Sequence, residues 1–245
     1  MRQLHGEHDL HDPLEPYRSV PRRPVGERPW VLANMVCGLD GSTAIRGRVG
    51  ALSGPTDRQL FVDLRSVADI VLVGAETVRA ERYGPVVLSE QRRDERRRRG
   101  RPALPRLAVV SRSLSLDPDS RAFREGDGAP PLVVTCEASP TDARARLAAV
   151  TDVVIAGDER VEPRLALQAL SAAGHEVVLC EGGPSLLGEL LAAGVVDELC
   201  LTLAPVVGGD PLPVALMPPS ADVRRLRLAH VLEADDDLFL RYEAR

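Results

Sequence analysis

The 245-residue chain predicts a three-layer α/β domain whose central sheet is mostly parallel and closes with antiparallel C-terminal edge strands. Three observations carry this expectation. Short continuous apolar runs at 69–73, 107–110, 132–135, 153–156 and 177–180 lack in–out alternation, so they read as strands covered on both faces. Segments with helical spacing separate most of them, the alternation of parallel sheets. The runs 225–233 and 238–243 flank Asp235-Asp236-Asp237, a turn sequence suited to a hairpin.

Residues 1–28 contain Pro13, Pro16, Pro21 and Pro24 and little apolar content, and read as a flexible tail ahead of one domain over 29–245. His5, His8 and His11 recur every third residue there, but a polar, proline-rich setting predicts a tail rather than a metal grip. A strand follows at 30–37, with Gly38-Leu39-Asp40-Gly41 as its turn and Asp40 as turn former. Apolar residues at 60, 61, 64 and 67 mark one face of a helix over 56–67. The strand at 69–73 gives way at Gly74 to a loop and a helix with Thr77 as its cap.

The arginines from Arg92 to Arg101 are interspersed with acids and have no aromatic companions, the pattern of a solvated face rather than a polyanion site. Beyond the strands at 107–110 and 132–135, a helix over 141–150 takes Thr141 as N-cap. After the strand at 153–156, a helix over 163–173 stops at Gly174. The strand 177–180 leads into a helix over 185–193 stopped by Gly194, then a strand at 199–205 and the hairpin.

The net charge of −5 argues against general nucleic-acid binding. No stretch has the apolar length that crosses a bilayer, and the polar N-terminus has no signal-peptide core, so a cytoplasmic location is expected. All 31 basic residues are arginine, which fits a GC-rich coding bias. Cys37, Cys136, Cys180 and Cys200 have no metal or redox spacing and read as buried reduced thiols.

Ligands of open α/β sheets bind at the carboxyl ends of the strands. Four segments place distinctive residues there: 34–41, 74–78, 111–113 and 181–183. In the last, Gly182 and Gly183 leave the backbone bare and Pro184 suits a first helical turn, so Ser185, Leu186 and Leu187 open a helix whose free N–H groups can hold a phosphate. Taken alone, that stretch reads equally as an ordinary strand-to-helix turn. Gly74 lets a ligand approach the backbone, Thr77 offers a hydroxyl, and Ser111 with Arg112 could take the 2′-phosphate that marks NADP. The GxGxxG and P-loop patterns are missing, so a nucleotide site of another architecture is required.

The ordered set Gly38-Leu39-Asp40-Gly41, Leu64 to Asp69 running into Val71 to Val78, Glu181 to Leu187, and Val195 to Leu199 resembles the reductase domain of the riboflavin-biosynthesis deaminase/reductase over about 28–243. It is more distantly similar to dihydrofolate reductase. The resemblance implies a dihydrofolate-reductase-like fold, extended NADPH and homodimerisation through edge strands. It places Cys37, Ser53, Gly74, Thr77, Val78 and Glu81 along the cofactor, and the turn from Gly182 around its pyrophosphate. Asn34, Phe61, Arg65 and Glu181 fall on the substrate side, with Arg65 toward a phosphate and Glu181 toward a sugar. The Arg65 side chain can alternatively pair with Asp63 or Asp69 on the surface.

The implied reaction is reduction of 5-amino-6-(5-phosphoribosylamino)uracil to its ribitylamino form, with no metal. The zinc-deaminase signature is missing, and the family's Trp-Ile-Thr-Ser segment is here Ala51-Leu52-Ser53-Gly54. Thr56 to Phe61 resembles the dihydrofolate reductase helix whose carboxylate holds a pterin, which makes Asp57 the candidate acid. Two readings of Asp57 stay open, that carboxylate or a plain helix cap after Pro55. A pterin reductase and a non-catalytic NADPH-binding protein remain the alternative functions.

Overall fold

The computed structural model describes residues 2–3, 8–9 and 12–245, the first two pairs as backbone only. Two short strands, β1 (Arg2–Gln3) and β2 (His8–Asp9), and α1 (Glu15–Arg18) precede β3 (Trp30–Gly38). There follow α2 (Pro55–Leu64), a 3₁₀ turn (Arg65–Val67), β4 (Ile70–Gly74), α3 (Ala75–Ala80), α4 (Glu90–Arg98) and β5 (Arg106–Val110). Next come α5 (Arg121–Arg124), β6 (Leu132–Thr135), α6 (Thr141–Ala148), β7 (Asp152–Ile155), α7 (Pro163–Ala172), β8 (Val177–Cys180) and α8 (Pro184–Ala192). The chain ends with β9 (Glu198–Ala204), β10 (Leu226–Ala234) and β11 (Asp237–Ala244).

One sheet runs β2-β1-β10-β11-β9-β3-β8-β4-β5-β6-β7. From β9 to β7 every pairing is parallel, and from β11 outward every pairing is antiparallel. This is the expected three-layer class. Strand residues fill two cores alternately. Val31, Ala33, Ile70, Leu72, Val178 and Cys180 pack with Leu167, Leu170, Leu187 and Leu190 of α7 and α8. Leu32 and Leu179 face α1 and α2, while Val71 and Val73 pack with Val78 of α3. Each such aliphatic side chain contributes about 1.5–3 kcal/mol by leaving water, which is why these strands tolerate no polar alternation. The hairpin turn sets Asp235 and Asp236 at φ 54 and 68, a left-handed pair that suits the twist of β10 and β11 and that aspartate tolerates.

Several expectations need correction. Residues 12–28 are not a loose tail: Leu14 and Tyr17 are fully buried under α2. Arg22 sends Nε and Nη2 to the two carboxylate oxygens of buried Glu198 at 2.8 and 2.7 Å, and Arg28 makes a similar fork on Asp197 at 2.6 and 2.8 Å. The possible metal grip of His5, His8 and His11 lies outside the described side chains. The arginine-rich segment is a helix that buries two of its arginines. Arg92 reaches Asp12 and Asp63, and Arg96 donates to the carbonyls of Ser66, Ala68 and Pro102, because those buried acceptors need donors.

Thr141 opens α6 from inside the helix, with Pro140 at the cap position, and Thr77 lies inside α3 behind a Gly74 cap. The predicted 56–67 helix tightens into the 3₁₀ turn after Leu64. All four cysteines are buried free thiols. Among the described residues, no helix is long and apolar enough to cross a membrane.

Candidate active site

The carboxyl ends of β3, β8 and β4, neighbours in the sheet, open into a cleft of about 710 Å³. One wall is the turn after β8. Gly74 N–H donates to Gly182 O at 2.8 Å and Glu181 N–H to Leu72 O at 2.9 Å, so the turns after β4 and β8 are bonded to one another. Gly182 has φ +80 and lies against Met35, and a Cβ on Gly183 would come within 2.6 Å of Thr77 Oγ1. Position 182 therefore needs glycine for its backbone and position 183 for its closeness to α3. Pro184 then starts α8, and the first-turn amides of Ser185 and Leu186 have no acceptor within the helix. These N–H groups, at the positive end of the helix, make a cradle for an anion.

The floor holds a buried ion pair. Arg65 donates from Nε to Glu181 Oε1 at 2.7 Å and from Nη2 to Oε2 at 2.9 Å, and Tyr83 Oη donates to the same Oε2 at 2.9 Å. The guanidinium carbon stands 4.7 Å from the Phe61 ring centroid, within cation–π reach. Burial opposes the charge of Arg65, but Glu181 more than offsets this and holds it firmly protonated. Neither Asp63, which is buried and paired with Arg92, nor Asp69 is its partner; it pairs instead with a carboxylate 116 residues away. The geometry follows from the sequence locally: the 3₁₀ turn swings Arg65 off α2 toward the strand end that carries Glu181.

Asp57 lies in the first turn of α2, behind a Gly54 cap and Pro55, so it is not the cap itself. It is 4 % exposed, lines the cleft, and accepts from the hydroxyls of Ser53 and Thr202. Burial raises its pKa, against the opposing pull of those hydroxyls and of Arg58. Asp237, at the start of β11, has its Oδ2 3.1 Å from where a Gly54 Cβ would stand. Burial, then the charges of Asp57, Asp235 and Asp236, push it up to about 6.

Of the residues expected from the sequence, the cleft brings together Asn34, Ser53, Asp57, Phe61, Arg65, Gly74, Thr77, Glu81, Glu181, Gly183, Pro184, Ser185 and Leu186. Glu81 also accepts from Val49 N–H at 3.0 Å, tying α3 to the loop after β3. Others stand back from it. Cys37 is buried off the cleft, Val78 and Leu187 belong to the two cores, and Gly182 supports the wall from behind. Ser111 and Arg112 follow β5, one strand further out on the same edge; the Ser111 hydroxyl accepts from Leu114 N–H, while Arg112 is exposed.

Asp40 is a turn former, its carboxylate held well below the usual range by Ser42, Gly208 and Gly209 donors. Tyr83, Asp237 and the 205–225 loop, whose Leu212 and Leu216 reach the cleft, were not singled out from the sequence. A tyrosine just after the Gly74–Val78 segment, in a chain with three, was the available signal for the first.

An α/β domain with an anion cradle, a buried arginine and an acid in one cleft has the form of an enzyme acting on a small phosphorylated molecule. The RibD C-terminal domain model matches residues 29–240. A 2,5-diamino-6-ribosylamino-4(3H)-pyrimidinone 5′-phosphate reductase of Methanothermobacter thermautotrophicus is 30% identical over 224 residues, 89% of this chain and 99% of that one. An Archaeoglobus fulgidus protein of the same name is 29% identical over 76% of this chain and 85% of that one. The crystal structure of a pyrimidine reductase-like protein from Corynebacterium diphtheriae superposes with TM-score 0.79 and 30% identity, covering 96% of both chains. The chain belongs to the RibD C-terminal domain family, a family of oxidoreductase domains.

Proposed function

We propose that the chain is an NADPH-dependent reductase of a phosphoribosylamino-pyrimidine, opening and reducing the ribosyl group to a ribityl group. The observation that carries this reading is the union, in one cleft, of the α8 anion cradle with Arg65, Glu181 and Asp57. A reduced nicotinamide supplies the hydride. The residues fit that cofactor: Gly183 and Gly74 leave bare backbone beside Thr77, and the Ser185 and Leu186 amides suit a pyrophosphate. Exposed Arg112, at the end of β5, suits the 2′-phosphate that distinguishes NADPH from NADH.

On the substrate side, the pair Arg65–Glu181 offers a fixed cation and carboxylate to the phosphate and sugar. Asp57, whose burial raises its pKa, presents a carboxyl group to the cleft as the candidate proton donor. The relatives are named for a 2,5-diamino-pyrimidinone, and 5-amino-6-(5-phosphoribosylamino)uracil differs from it in carrying a carbonyl at ring position 2. A buried carboxylate favours an amino edge, so Asp57 bears on the choice between them.

The test is NADPH consumption by purified protein with each pyrimidine and with dihydrofolate. Turnover of either pyrimidine supports the proposal. Turnover of dihydrofolate alone establishes the second reading, pterin reduction, which the cleft-facing burial of Asp57 favours. Tight NADPH binding without turnover of any of the three establishes a binding protein, and no NADPH binding removes all three. A homodimer and a cytoplasmic location belong to the same proposal; sedimentation of the purified chain tests the first.

A further inference from the structure

We infer that Tyr83 is a positioning residue: acting through Glu181, it holds the Arg65 guanidinium in the orientation that meets the phosphate of the substrate. The role belongs to a cleft that takes a phosphoribosylamino-pyrimidine and rests on that reading.

Tyr83 reaches the floor because of the way α3 ends. Arg82 takes φ 49, the left-handed conformation that closes many helices and that glycine adopts most easily. Tyr83 N–H then donates back to Val78 O at 3.0 Å, and the chain from Tyr83 to Pro85 lines the cleft. The ring packs on the core that holds Val78 and Val86, and its centroid lies 6.0 Å from the Arg65 guanidinium carbon. Phenylalanine would make both contacts. What phenylalanine lacks is the hydroxyl, whose partners are Glu181 Oε2, at 2.9 Å, and Arg65.

Arg65, with a side-chain exposure of 9% against 0% for Glu181, is the member of the pair that opens on the cleft. Glu181 takes N–H groups of Nε and Nη2, which leaves Nη1 and the second hydrogen of Nη2 for a ligand. A fork tied to one carboxylate can still rock with it, because the terminal torsion of a glutamate is soft. The further bond from Tyr83 to Oε2 removes that freedom and fixes the plane in which the remaining N–H groups lie. Burial and the Glu181 charge push the phenol well above its usual range, so it keeps its proton and remains the donor. Donors set in advance bind a phosphate without the cost of being ordered on its arrival.

Tyr83→Phe keeps the ring and removes the hydroxyl. With the pyrimidine phosphate that wild type turns over, it should raise KM about tenfold with kcat within about twofold, part of the worth of one hydrogen bond to a charged group. With the dephosphorylated form of the same pyrimidine, kcat/KM should stay within about twofold, a selectivity that lost packing would not produce. In the Arg65→Met/Glu181→Leu background the same substitution should change KM for the phosphate by less than about twofold, since nothing is left to position. Equal losses on the two substrates, an undiminished loss in that background, or no loss from Tyr83→Phe alone overturns the proposal. If wild type turns over neither pyrimidine, the functional reading fails, and calorimetry with ribose 5-phosphate in the presence of NADPH decides the role of Tyr83. Binding about tenfold weaker in Tyr83→Phe upholds it; equal binding, or none by wild type, overturns it.

Discussion

Replacing Glu181 by Gln tests the floor of the cleft without changing its shape. The amide keeps one acceptor oxygen for Arg65 and loses both the charge and the second fork. Glu181 has a side-chain exposure of 0% and Arg65 of 9%, so the guanidinium is left largely desolvated. Breaking a buried pair from one side costs about 3–5 kcal/mol. Phe61 and Tyr83 rings beside Arg65 recover about 1 kcal/mol of that. The expected loss is therefore about 2–4 kcal/mol, a fall in melting temperature of roughly 5–15 °C for a domain of this size. Calorimetry of wild type, Glu181→Gln and the double variant Arg65→Met/Glu181→Leu measures it. The double variant should regain most of the loss, because no uncompensated charge remains. NADPH affinity should stay within about twofold, since the Ser185 and Leu186 amides are untouched, a difference of about 0.4 kcal/mol. A Glu181→Gln protein that melts within about 1 kcal/mol of wild type would refute the reasoning, as would a double variant no better than the single.

Four further outcomes follow from the same geometry. Asp57→Asn should lower kcat/KM by about 10²–10⁴ with NADPH binding retained, and should flatten the decline of activity that deprotonation of Asp57 imposes above the usual carboxylate range. Asp237 holds a proton in the fold that the unfolded chain releases near 3.8, so wild type loses stability as pH rises from there through about 6. Asp237→Asn escapes that loss and should be more stable by about 1 kcal/mol at pH 7.5 in urea titrations, solvent at the hairpin reducing the full linkage value. Gly183→Ala should weaken NADPH binding at least tenfold by calorimetry, since its Cβ would come within 2.6 Å of Thr77 Oγ1, and Thr77→Ala should restore part of it. A chain beginning at residue 29 should melt at least 10 °C lower, since Glu198 would lose Arg22 and the α2 face would lose Leu14 and Tyr17.

What was legible in the sequence was what is local. The runs 132–135 and 177–180 coincide with β6 and β8 because an apolar strand in a parallel sheet is bounded by turn residues on both sides. The anion cradle was legible for the same reason: the requirement for glycine at 182 and 183, and for proline at 184, is met within a few bonds. Contacts between distant segments were not. Arg65 and Glu181 were both singled out, yet nothing in either stretch says that they pair, and Tyr83 adds a third segment. The arginines of α4 look uniform in sequence, while the fold buries Arg92 and Arg96 and leaves Arg97 and Arg98 in water. Residues 12–28 misled for a compositional reason: two apolar side chains and two arginine forks hold them, too few to raise the apolar content of the segment.

Those forks have a consequence for how the cleft behaves. Glu198 takes Arg22 from the start of the chain and Arg241 from its last strand, with Trp30 Nε1 at 3.2 Å. One buried carboxylate thus clasps both ends of the polypeptide. The strand that carries Arg241 begins at Asp237, beside Asp57. Peeling of the N-terminal segment would loosen this clasp and, along β11, the carboxyl neighbourhood in which Asp57 titrates. The integrity of residues 12–28 should therefore be readable in the acidity of Asp57, at the far end of β11 from the clasp.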